Sequence, residues 1–173
     1  MNSIREDMND LRRQLQVGSI QRAYRALLGY MMDLRTHFKN RYPRYAISGL
    51  YQGYLDMSYF AIIPPSIDHR GLKFAIVFNY GAFRFEAWLA AANRQIQRKY
   101  WELFRDSQWI EYRVVMPAKG VDAIIECDLA EGFDFGDLNS LTATIEEKTA
   151  GFIDDVERFL SDHENRSREG DRS

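Results

Sequence analysis

Three stretches decide the fold: AISGLYQGYLDMSYFAIIP (46–64), LKFAIVFN (72–79) and FRFEAWLA (83–90). They are rich in aromatic and β-branched residues, which favour strands, and glycine or proline interrupts or ends them. The second stretch is apolar on both faces apart from Lys73, as is typical of a central strand. We therefore predict four strands, at about 46–52, 54–63, 72–79 and 83–90, with a bend near Gly53 and a loop from Pro64 to Gly71.

Helices are predicted on both sides of this strand-rich middle. Two N-terminal segments, separated by Gly18, carry apolar residues every three or four positions. The first stripe is Ile4, Met8, Leu11 and Leu15; the second is Ile20, Tyr24, Leu27, Met31, Leu34 and Phe38, and its helix ends before Pro43. Later segments predict helices at about 90–106 and 138–161, and strands at about 110–117 and 121–129.

This order of elements indicates an α+β domain. We expect a mainly antiparallel sheet of five to six strands, with N-terminal, middle and C-terminal helices packed on one of its faces. A single domain is predicted over 1–161. The last residues, 162–173, are polar and short of apolar groups, which predicts a disordered tail.

The composition narrows the class of protein. The chain has 173 residues and a formal net charge of −2, which disfavours a nucleic-acid binder, because such proteins usually carry a basic excess. Its single cysteine, Cys127, cannot form an intramolecular disulfide, so we expect the cytoplasm as its compartment. The charged N-terminus is unlike a signal peptide, and no run of about 18 apolar residues is present. We expect a soluble protein that does not enter the membrane.

The motifs of common catalytic and cofactor sites are missing from the sequence. There is no Walker loop, GxGxxG, GxSxG, HExxH or CxxC. Cys127 lies in a predicted strand, where a buried and unreactive thiol is expected. The three histidines are far apart in sequence and are expected on the surface. No catalytic residue, metal site or cofactor is therefore predicted.

One polar constellation is predicted on the sheet. Arg84, Glu86 and Trp88 alternate along one strand and so share a face. If the polar face of an earlier strand coincides with it, the side chains form a ligand pocket, with three charged groups between aromatic walls. The residues of this hypothetical pocket are Tyr51, Tyr54, Asp56, Arg84, Glu86 and Trp88. The alternative is a solvated polar face whose charges pair across strands.

The order of a helix, three antiparallel strands, a helix and a strand resembles the core of the restriction-endonuclease-like superfamily. That resemblance implies an Asp in the second strand and a Glu-x-Lys in the third. Asp56 matches the first requirement, but LKFAIVFN contains no Glu-x-Lys. The alternative fold is therefore such a core without its catalytic motif, and nuclease activity is disfavoured.

Two long segments resemble a family of uncharacterised bacterial proteins. The first, residues 18–60, contains YMMDLR and SGLYQGYLDMSYF; the second is LKFAIVFNYGAFRFEAWLAAANRQIQRKYW (72–101). The resemblance implies a bacterial cytoplasmic protein with a domain of unknown function. It implies no activity and no site residues.

Two functions fit these observations. The first is a non-catalytic binding or protein-interaction module that forms a homodimer, because many aromatic residues are combined with no catalytic motif. The stripe of Ile4, Met8, Leu11 and Leu15, or an edge strand, would form its interface. The second is a small-molecule enzyme, or a divergent nuclease-like protein, that uses the polar constellation on the sheet.

Overall fold

The computed structural model describes residues 3–107 and 109–170. The helices are α1 (Ile4–Val17), α2 (Ser19–Arg41), α3 (Pro65–Asp68), α4 (Arg94–Asp106) and α5 (Leu138–Gly170). The strands are β1 (Ala46–Ile47), β2 (Tyr51–Gln52), β3 (Met57–Ile63), β4 (Leu72–Asn79), β5 (Arg84–Ala91), β6 (Arg113–Val114) and β7 (Ala123–Ala130). The predicted α+β class is confirmed.

The strands form one antiparallel sheet. Their order is β1-β3-β4-β5-β7-β6, and β2 also pairs with β3. β4, whose apolar sequence predicts a central strand, lies between β3 and β5 with its bounds as expected. The helices precede, interrupt and follow the strands, as predicted. Both ends of the sheet's strand order are strands of two residues.

Large apolar side chains line one face of the sheet. Phe60, Ile76 and Ala87 are partners in register across β3, β4 and β5, and alternate residues along each strand lie on the same side. This helix-covered face forms one core with residues of α2, α4 and α5. Its large, fully buried members include Phe38, Phe60, Phe74, Phe78, Phe85, Phe104 and Phe152. α2, α4 and α5 therefore pack on one side of the sheet, as expected, whereas α1 contributes no residue to this core.

Several predicted element bounds need correction. The predicted strand at 46–52 is divided into β1 and β2, and the next strand begins at Met57 instead of residue 54. The cause is a tight turn closed by a hydrogen bond from the Gly53 N–H to the Met57 carbonyl. A Cβ on Gly53 would lie 2.2 Å from that carbonyl oxygen, so only glycine fits. Asp56 consequently lies in the turn and not in a strand.

Other differences have local causes. α4 begins at Arg94, later than predicted, because the Asn93 side chain accepts a hydrogen bond from the Ile96 N–H and caps the helix. The predicted loop at 64–71 contains α3, and the predicted strand at 110–117 contributes only β6.

The last helix is longer than the predicted span of about 138–161. α5 continues to Gly170, and residues 171–173 lie outside the described part. An ion pair between Arg70 and Glu164 and stacking of Phe159 on His163 hold the helix past residue 161.

A carboxylate joins α2 to α5. Glu146 of α5 contacts the His37 Nε2 at 2.6 Å and accepts hydrogen bonds from the Tyr42 hydroxyl at 3.1 Å and the Arg41 Nε at 3.3 Å. Burial alone would raise the pKa of Glu146, but these partners outweigh it and hold the pKa below its usual value. A lowered folded-state pKa stabilises the fold above the unfolded pKa, and this contribution is lost as pH falls through the folded value.

We predict that Glu146→Gln lowers the free energy of unfolding at pH 7 by about 1 kcal/mol, because the charge-assisted bonds are lost. The difference from the wild type should shrink as the pH falls below about 4.5, the unperturbed pKa, and through the lower folded-state pKa, since the native carboxylate then becomes protonated. Urea denaturation at a series of pH values measures this. Glu147→Gln, at the exposed neighbouring position, is the matched control.

Candidate functional site

The predicted polar constellation is brought together only in part. Arg84, Glu86 and Trp88 share one face of β5, opposite the helix-covered face. The Tyr51 ring packs against the Tyr59 ring at a tilt of 34°. Tyr51 lies three strands away from Glu86, which is roughly 14 Å at the usual strand spacing.

The other two predicted members lie in the turn before β3. Tyr54 is 95% exposed and therefore forms no pocket wall. The Asp56 side chain accepts a hydrogen bond from the N–H of the next residue, Met57, at 2.7 Å. Neither side chain is therefore positioned by a strand.

Glu86 is the centre of a closed polar network. Its carboxylate is 1% exposed and accepts hydrogen bonds from the Arg84 Nε at 2.7 Å, the Trp88 Nε1 at 2.8 Å and the Asn79 Nδ2 at 3.3 Å. Arg84 also forms an ion pair with Asp128 at 3.1 Å. The hydrogen bond with Glu86 is the largest of the effects that together raise the pKa of Arg84, so the guanidinium remains charged. Three donors already occupy the carboxylate that a ligand or metal would need.

The remaining candidates for chemistry are also accounted for. Burial raises the pKa of the Cys127 thiol to about 11, so the thiolate that acts as a nucleophile is scarce at neutral pH. Within residues 3–107 and 109–170, no three His, Cys, Asp or Glu side chains are grouped closely enough to hold a metal ion. No helix in this described part is both long and apolar enough to cross a membrane.

A large apolar pocket lies elsewhere, at the end of the sheet beside the start of α2. Its volume is about 520 Å³, within the range of roughly 300–1,000 Å³ that is usual for ligand sites. α2 contributes Ile20, Ala23, Tyr24, Ala26 and Leu27, and β4 and the residue after it contribute Phe78 and Tyr80. The remaining lining comes from three loops. We call this cavity the apolar pocket.

The three loops place large apolar side chains at its rim. Leu55, Phe83, Phe133 and Phe135 come from the turns before β3, before β5 and before α5. Leu55 and Phe83 have φ angles of 60° and 50°, a strained conformation for side chains of this size. They are also 57% and 65% exposed. Strained, exposed apolar residues at a cavity mouth are typical of a binding surface.

The sequence alone does not predict this pocket. Its lining comes from residues distant in the sequence, and the loops carry no motif. One signal was present: the segment FDF (133–135) places two phenylalanines between Gly132 and Gly136, in a loop where polar residues are usual. Phe133 packs against both Phe83 and Phe135, which joins two of the loops.

α1 forms a second apolar surface. Its stripe of Ile4, Met8, Leu11 and Leu15 is 41–76% exposed, and none of the fourteen described residues of α1 is buried. A capping box between Ser3 and Glu6 starts the helix, and Gly18, at a φ of 77°, ends it. The helix is thus well formed at both ends but has no cover over its apolar side.

Comparison with known proteins shows the family of this chain. Residues 4–160 match the model of a protein family described as a domain of unknown function (DUF7000). The chain belongs to this family. No curated protein and no solved structure matches the chain. The resemblance to an uncharacterised family is thereby confirmed, and both the polar network and the apolar pocket lie within the matched residues.

We predict that Glu86→Gln lowers the free energy of unfolding by about 2–3 kcal/mol, because the buried carboxylate is lost and the half-buried Arg84 charge keeps only its exposed partner Asp128. Asp128→Asn should cost less than about 1 kcal/mol, since Asp128 is 58% exposed and pairs with the same guanidinium. Chemical denaturation of both variants measures the difference. Equal effects of the two substitutions would contradict the central role given to Glu86.

Proposed function

We propose that this protein is a non-catalytic interaction module that self-associates through α1. The observation that carries the proposal is the exposure of the α1 stripe: Ile4, Met8, Leu11 and Leu15 are all at least 41% exposed, on a helix that has no buried residue. Apolar residues in such a row mark an interaction surface when they are uncovered.

The energetics of a single helix support this proposal. Isolated helices shorter than roughly 12–15 residues are marginal in water, and α1 has 14 residues. Covering the exposed half of a Leu, Ile or Met side chain contributes on the order of 1 kcal/mol. Four such side chains per copy stabilise both the helix and the assembly.

The charges of α1 favour a protein partner over a membrane surface. Residues 4–17 contain three arginines, at 5, 12 and 13, and three acids, at 6, 7 and 10, so their net charge is zero. Helices that bind anionic lipid surfaces usually carry a basic excess on their polar side. A second copy of the chain presents the same balanced helix and the same apolar stripe.

The edge strands are a weaker interface. β1 and β6 each contain two residues, and short edge strands offer few free backbone groups to another chain. Of the two interfaces that the sequence suggests, α1 is therefore the better supported.

The alternative function, an enzyme or nuclease-like protein on the polar face, has less support. Glu86 is hydrogen-bonded by three donors, and Asp56 lies in a turn away from it. β4 also carries no Glu-x-Lys. We place the module in the bacterial cytoplasm, since its only cysteine is a free thiol and the sequence resembles bacterial proteins.

Light scattering coupled to size-exclusion chromatography tests the proposal. We expect the wild-type chain to elute as a dimer at micromolar concentration. The double variant Met8→Glu, Leu11→Glu should elute as a monomer, because two charges would have to be desolvated at the interface.

Asn9→Glu is the matched control, since it adds a charge to α1 outside the apolar stripe. It should leave the dimer intact. A wild-type chain that stays monomeric at tens of micromolar, or a double variant that dimerises like the wild type, contradicts self-association through α1.

A further inference from the structure

The chain carries two uncovered apolar features close to each other. The stripe of α1 ends at Leu15, and the lining of the apolar pocket begins at Ile20 on α2. One is a convex helix and the other is a cavity with exposed phenylalanines at its mouth. An amphipathic helix in an apolar groove is a recurring way in which proteins bind one another.

The apolar pocket is long enough to accommodate part of α1. Its wall on α2 runs from Ile20 to Leu27, about two helical turns or roughly 10 Å. Met8 and Leu11, three residues apart in the middle of the stripe, lie on one face within such a span. Their separation along the helix axis, roughly 4.5 Å, is shorter than this wall.

The charges beside the two surfaces are complementary. Arg12 lies next to Met8, Leu11 and Leu15, and Arg5 is seven residues earlier on the same side of the helix. Beside the apolar pocket, a polar cavity that shares Phe133 with it contains Glu131 and Asp134. Both acids are exposed. A helix seated in the pocket with Arg12 towards these acids pairs opposite charges at the rim.

The connection between α1 and α2 disfavours α1 folding into the pocket of its own chain. Gly18 is the only residue between the two helices; its N–H bonds to the Gln14 carbonyl and its carbonyl accepts from the Arg22 N–H. Helix-to-helix reversals usually need about 2–8 residues. A second copy has no such restriction, and a two-fold pair lets each α1 enter the other chain's pocket.

We infer that the apolar pocket of one copy receives α1 of a second copy, with Met8 and Leu11 entering between α2 and the three loops. This inference rests on the proposed self-association and adds the receiving surface. The exchange is reciprocal, so both apolar features of both chains are covered and the assembly closes as a dimer.

Cross-linking between chains tests the contact directly. Leu11→Cys and Phe135→Cys proteins are made separately, mixed and mildly oxidised, and the linked peptides are identified by mass spectrometry. We expect a disulfide between residues 11 and 135 of different chains. Leu11→Cys mixed with Ile110→Cys is the matched control, because Ile110 is 88% exposed but lies outside the pocket lining; it should give little product. The buried native Cys127 can remain in place.

A pocket variant gives the second measurement. Ala23→Glu adds a charge at an exposed pocket position on α2, and we expect it to raise the dimer dissociation constant at least about tenfold. Gly29→Glu on the same helix is the control, since Gly29 is exposed outside the pocket and a side chain there meets nothing within 4 Å. It should leave dimerisation unchanged.

The outcomes separate this inference from the proposed function. Leu11→Cys that links only to itself, or a dimer unaffected by Ala23→Glu but lost in Met8→Glu, Leu11→Glu, overturns the pocket as the receiving surface and leaves self-association intact. A wild-type chain that is monomeric overturns both. The 11-to-135 disulfide together with the Ala23→Glu effect supports both.

Discussion

The fold depends on the burial of large aromatic side chains on one face of the sheet. The row of Phe60, Ile76 and Ala87 belongs to the core that α2, α4 and α5 share with that face. The next row, on the opposite face, contains Ala61, Ala75 and Trp88. Because the helices pack on one face of the sheet, a charged side chain that is buried on the other face must be paired with neighbouring residues of the sheet. The network around Glu86 meets this requirement.

The packing of the helices on one face also accounts for the apolar surfaces that remain exposed. The helix-covered face is occupied by three helices, and α1 lies beyond them with its apolar stripe exposed. At the end of the sheet, tight turns hold Leu55 and Phe83 in strained conformations around an apolar pocket. Strain of this kind persists only where the surrounding structure enforces it. We therefore assign recognition to the turns and to α1, and structural support to the polar face.

Much of the fold could be predicted because periodicity is local. The apolar run of β4 and the stripes of α1 and α2 are visible in short windows of sequence. The division of the first predicted strand was not visible, since it depends on the close approach of the Gly53 backbone to Met57. The apolar pocket was missed for a similar reason: Ile20, Phe83 and Phe135 are brought together only by the register of the strands and the turns. The network around Glu86 likewise requires Asn79 from a neighbouring strand.

The central claim is that α1 is covered by a second copy. Hydrogen exchange measured at two protein concentrations, one well above and one well below the dissociation constant, tests it most directly, because a helix with no buried residue in its own chain exchanges fast unless a partner covers it. We predict that the α1 amides are protected at high concentration and lose that protection on dilution, while the amides of β4 and β5 exchange equally slowly at both. Equal exchange of α1 at the two concentrations would contradict the account.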